Sequence, residues 1–95
     1  AKTKETIDLI YKVAERHELD ALLFKSILFQ ESSFRFNAVN KKSNDFGIGQ
    51  INEKTIVRYK FNKTKLMKDR EYALNAAAIV LKDFYKMFRH EPIWY

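Results

Sequence analysis

The stretch FQESSFRFNAV, residues 29–39, sets one carboxylate, Glu31, in a run of large apolar side chains. Leu22, Leu23, Phe24, Ile27, Leu28 and Phe29 precede it, and Phe34 and Phe36 follow. Apolar surroundings disfavour a charged carboxyl, because its desolvation is costly unless a partner or a proton relieves it. A carboxyl kept protonated near neutral pH can give its proton to a leaving oxygen, which an ordinary, almost wholly ionised Glu cannot do. Glu31 is therefore expected to be buried, either as a structural acid paired with a buried Arg or Lys or as a group that keeps its proton for such a transfer. A second polar set lies in DFGIGQIN, residues 45–52, where Gly47 and Gly49 flank Ile48 and Gln50 follows. Glycine permits a positive φ or a close backbone approach to a ligand, and Gln offers both a donor and an acceptor, as a sugar hydroxyl or acetamide requires. The two glycines match neither a dinucleotide fingerprint nor a Walker A loop. Asp45 is the one acidic residue between Glu31 and Asn52. It is read as a turn residue, with a second catalytic carboxylate as the rival role.

The elements that must position these residues are helices. Ile7, Ile10, Tyr11, Val13 and Ala14 recur at helical spacing and predict a helix over 4–17. Asp20 can cap a second helix running to about Ser33, with Glu31 in its last turn, where the helix dipole adds to the cost of a negative charge. Residues 35–47, rich in Asn, with Ser43, Asp45 and Gly47, read as a loop. Asn52 caps a short helix through Tyr59, and a basic loop follows. Asp69 then caps a long helix over 70–89, where Tyr72, Ala73, Ala76, Ala77, Val80, Leu81, Phe84 and Phe88 repeat at three- and four-residue steps, and Pro92 ends it. Tyr72, Phe84, Tyr85 and Phe88 are expected in the core. No segment alternates with period two, so the fold class is all-α.

The 95 residues allow a single domain over 1–95. Cysteine is absent, and His17 and His90 stand too far apart in sequence for a convincing metal site, so neither a metal nor a cofactor is expected. No apolar run is long enough for a membrane span, and the start AKTKET lacks the apolar core of a signal peptide. The formal charge of +6, with clusters at Lys41-Lys42 and Lys60 to Lys68, points to an anionic partner.

Taken together, the helix-ending Glu31-Ser32, the Asn37-Ala38-Val39 turn and the Gly47-x-x-Gln50-Ile51 stretch resemble the lysozyme-like catalytic domain of the soluble lytic transglycosylases. The D-x-G-x-x-Q-I-N wording is nearest the small peptidoglycan-cleaving members found with conjugation and secretion machines or with phages. The resemblance runs from about Thr6 to Tyr95. It implies a small lysozyme-like helical domain that cleaves the β-1,4 bond between N-acetylmuramic acid and N-acetylglucosamine and leaves 1,6-anhydro ends. Carried over, Glu31 is the catalytic acid, Ser32 the serine beside it, and Gly47 and Gln50 the residues of the second motif. Asn40 stands where many relatives have a hydrogen-bonding Ser. Gly49 stands where Met is frequent, which would widen the glycan groove. The family's third motif, an aromatic residue followed by Asn, is expected just beyond Trp94-Tyr95. Either the domain is truncated at its C-terminal end or Tyr95 stands in for that aromatic. Asn75 matches a polar position in the family's late helix and is expected to support the site. The resemblance further implies peptidoglycan strands as partner, secretion, conjugation or phage assembly components beside them, and a place in the bacterial envelope or periplasm, exported or phage-borne. Three alternatives stand beside this reading: a hydrolytic lysozyme of the same fold, an inactive glycan-binding relative, and a small basic DNA-binding module.

Overall fold

The structure is a computed structural model that describes residues 2–90. Two helices open the chain, α1 (Lys2–Arg16) and α2 (Ala21–Ser32). Three two-residue strands follow, β1 (Val39–Asn40), β2 (Asp45–Phe46) and β3 (Ile51–Asn52), and then α3 (Glu53–Tyr59), α4 (Lys63–Lys68) and α5 (Arg70–His90). The fold is mostly helical, as expected. Residues 39–52 depart from that expectation by forming a small antiparallel sheet in the order β1-β2-β3, with Val39 opposite Phe46 and Phe46 opposite Ile51. Strands this short carry no legible alternation, which is why the sequence pattern reads as loop.

Helix α1 buries Thr6, Ile10, Val13 and Ala14, a stripe at three- and four-residue steps, and leaves Tyr11 exposed. It ends in a Schellman motif. Glu18 takes a positive φ, its N–H donates to Glu15 O and the N–H of Leu19 donates to Ala14 O, which turns Leu19 back onto the core. Asp20 caps α2 as expected, its carboxylate accepting from Leu23 N at 2.9 Å. Asp69 caps α5 in the same way through Tyr72 N. The basic stretch after Tyr59, expected as a loop, contains helix α4, capped by Asn62 through Lys65 N and anchored by the fully buried Leu66. Pro92, expected to end the last helix, lies outside the described residues.

Two apolar clusters result. The larger joins α1, α2 and α5 through Ile10, Val13, Phe24, Leu28 and Leu74, and receives Ile48 from the turn between β2 and β3. The smaller gathers Ile51, Ile56, Leu66 and Ala76 under Phe46, Phe61 and Tyr72. Helix α5 belongs to both, and its Ala73, Ala76, Ala77 and Ala78 keep that shared surface thin enough for the turn to lie against it.

Candidate functional site

The buried positions of α2 are Phe24, Leu28 and Ser32, four residues apart on one stripe. Glu31 precedes the last of them, about 100° round the helix, and its side chain is exposed. The expected burial of Glu31 is therefore not met. The apolar neighbours in sequence do not all surround it in space, for Leu22, Leu23 and Phe29 face solvent. What the fold provides is position. Glu31 lies on the wall of an apolar groove of about 290 Å³, formed by Phe24, Ile27 and Leu28 of α2, Gly49 to Asn52 of the turn, Thr55, and Ala77, Val80, Leu81 and Phe84 of α5. It also borders a second, polar groove lined by Arg35, Asn37, Asn40, Lys41, Lys42 and Gln50. Glu31 and Gln50 are common to both grooves, and among the described residues no hydrogen bond or ion pair engages the Glu31 carboxylate.

Ser32 is buried, and its hydroxyl lies 2.7 Å from Ile48 O and 3.1 Å from Leu28 O. It links the end of α2 to the turn that carries Gln50, and so fixes the acid relative to the second motif. Gly47 has φ +82°, and a Cβ there would come within 3.0 Å of Leu66 O, so both backbone conformation and packing require glycine. Gln50 also has a positive φ. Its Nε2 donates to Ala38 O at 3.1 Å and to Gly47 O at 2.9 Å. Both amide hydrogens are thus engaged, and Oε1 is the atom that can meet a ligand, as an acceptor. The sequence expectation of a donor as well is corrected on that point.

Asn40 Oδ1 accepts from Lys42 N and Ser43 N and builds the hairpin turn, leaving its Nδ2 to donate into the polar groove. Asp45 is engaged at both oxygens, by Ser43 Oγ at 2.7 Å and Asn52 Nδ2 at 3.0 Å, and lines neither groove at Glu31. Asn75 lies elsewhere: its Nδ2 donates to Glu71 O and its Oδ1 meets Arg16 and His17 at the end of α1. Gly49 does not simply widen the groove. A Cβ there would stand 2.8 Å from Ala77 Cβ, so the missing side chain lets α5 close onto the turn. Tyr95, like the possible C-terminal truncation, lies outside the described residues.

The residues that sequence reasoning missed are the groove walls. Phe84, expected in the core, is half exposed and lines the apolar groove with Val80 and Leu81. Arg35 and Asn37 join the polar groove. The signal for Phe84 was present in the spacing of Ala77, Val80, Leu81 and Phe84 along one face of α5, but periodicity does not separate a face against core from one along an open groove. Among the described residues no group of three or more His, Asp or Glu could hold a metal ion, and no helix is long and apolar enough to cross a membrane.

The profile of the transglycosylase SLT domain matches residues 8–94. No curated protein and no solved structure matches the chain. The match spans nearly the whole sequence, and the chain belongs to the transglycosylase SLT domain family, with the mostly helical, lysozyme-like fold that goes with it.

Proposed function

We propose that this transglycosylase SLT domain uses Glu31 as its single catalytic group, first as acid and then as base. Family membership gives peptidoglycan as substrate and a lytic transglycosylase type of activity. The observation that carries the finer reading is the place of Glu31, the one acidic side chain on either of the two grooves and common to both. A glycan laid along the grooves would cover the exposed carboxyl and displace its water, so the apolar surroundings expected from sequence would be completed by the substrate. The Glu31 proton passes to the bridging oxygen, which leaves as the 4-hydroxyl of N-acetylglucosamine as the bond to C1 of N-acetylmuramic acid breaks. The carboxylate then takes the proton of the muramyl 6-hydroxyl, whose oxygen bonds to C1. This closes the 1,6-anhydro ring and restores the acid.

Ser32 and Gly47 position the acid and the turn, and Gln50 Oε1 and Asn40 Nδ2 meet the sugar. Hydrolysis by a retaining or inverting route would need a second carboxylate. Asp45, with both oxygens engaged in the sheet, is better suited to structure. The domain, read as a single unit over 1–95, would act at the cell wall, exported or phage-borne. Digestion of purified cell wall followed by mass analysis is the test. Products one water lighter than reducing-end muropeptides are expected, and reducing ends alone would replace this mechanism with hydrolysis.

A further inference from the structure

The two grooves that meet at Glu31 have opposite characters. On one side stand Phe24, Leu28, Val80, Leu81 and Phe84, with Glu31 the one charged group. On the other, Arg35, Lys41 and Lys42 stand beside amides, and Glu31 is the one acid. Among the described residues none of these three cations is in an ion pair with a carboxylate. Their placement is built into the backbone. Arg35 Nε donates to Ser32 O at 3.2 Å, which fixes the side chain and leaves its terminal nitrogens for an anion. Lys41 and Lys42 sit in the hairpin turn that Asn40 Oδ1 closes at Lys42 N. Beyond Arg35 and Asn37 the surface continues to Arg70, which lies over the Phe36 ring. Arg70 also borders Glu5 and Asp8 of α1, and there the excess of positive charge ends.

We propose that Arg35, Lys41 and Lys42 bind the carboxylates of the stem peptide on the muramyl unit at the cleaved bond, so that the enzyme selects peptide-bearing strands over bare glycan. The inference rests on the lytic reading of Glu31. The two sugars that flank the cleaved bond share a ring and an acetamide and differ in that the muramyl unit alone carries a stem with free carboxylates, while N-acetylglucosamine is uncharged throughout. One proton donor between a cationic wall and an apolar wall matches that alternation and gives the bound strand a direction. Arg35 supplies a fork for a carboxylate, and the lysines supply point charges.

The test compares kcat/KM on soluble stem-bearing strands with that on the same strands stripped of stems by an amidase, which removes the stem carboxylates and leaves one lactyl carboxylate on each muramyl unit, held close to the sugar ring. The proteins are the wild type, Lys41→Ala/Lys42→Ala, and Lys4→Ala/Lys12→Ala, which removes the same charge from exposed positions of α1. The wild type is expected to favour stem-bearing strands. The Lys41/Lys42 variant should lose about two- to thirtyfold of that preference, through KM, the factor that two exposed ion pairs give. The α1 variant should keep it. Equal cleavage of both substrates by the wild type, or the same loss in both variants, overturns the proposal while leaving the lytic reading intact. If neither substrate is cleaved, the lytic reading fails. Binding of the Glu31→Gln protein to the two strand types then decides the inference: tighter binding to stem-bearing strands that the Lys41/Lys42 substitution removes supports it, and equal binding overturns it.

Discussion

The cluster of α1, α2 and α5 and the strip from Ser33 to Asn52 are held by different forces. The cluster rests on burial of Ile10, Val13, Phe24, Leu28 and Leu74. The strip rests on polar bonds within itself: Gln50 donates to Ala38 O and Gly47 O, Lys42 N donates to Asn40 Oδ1, and Asn52 donates to Ser43 O and to the Asp45 carboxylate. It also holds Ser33, Phe34, Asn44, Gly47 and Gln50 at positive φ, a conformation that only glycine adopts freely. The two meet where Ser32 reaches Ile48. Stability is concentrated in the first region, and the candidate site forms along its border with the second, where Glu31 on the exposed side of α2 faces the turn that carries Gln50.

The sharpest break is Glu31→Gln. Loss of the proton donor should lower muropeptide release about 10²–10⁴-fold. Because the side chain is exposed, folding stability should move by no more than about 0.5 kcal/mol. A large drop in Tm would mean that the acid also serves the fold. Ile48→Ala should do the reverse at the junction, costing about 2–5 kcal/mol in denaturant melts because Ile48 is wholly buried in the main cluster. Ser32→Ala sharpens the comparison, since it removes the link itself. About 1–3 kcal/mol should be lost, with a fall in kcat as the turn loosens, and unchanged kcat would place Ser32 with the core alone.

The smallest effect is expected at Tyr59, away from both regions, whose hydroxyl donates to Asp83 Oδ2 at 2.8 Å. That bond raises the phenol above its ordinary value of 10.0, with burial and the Asp83 charge adding to it. The neutral phenol is the donor, so its stabilisation is whole below pH 10.0 and fades as pH rises through the raised value. Tyr59→Phe should cost about 0.5–1 kcal/mol at neutral pH. The gap in Tm between the two proteins should close in alkali.

Helices with regular stripes and Asx caps were legible in the residues. Asp20, Asn52 and Asp69 cap where expected, and Ile10, Val13 and Ala14 face inward. Helix α4 was not legible, because Lys63, Lys65 and Lys68 hide one buried side chain, Leu66, among charges. The proximity of Glu31 to the Gly47–Gln50 turn was legible through the family wording alone, since it depends on Ser32 and Ile48 meeting across a turn. The burial of Glu31 was misread because apolar density along a chain says nothing about which side of a helix a residue takes.

The contact of Gly49 with Ala77 has a mechanical consequence. Two backbones approach there with little between them, so the long last helix acts as a stop against which the turn is set. A single methyl group added at Gly49 would force the turn and α5 apart and shift the neighbouring Gln50 relative to the acid, altering turnover without touching an atom that meets sugar.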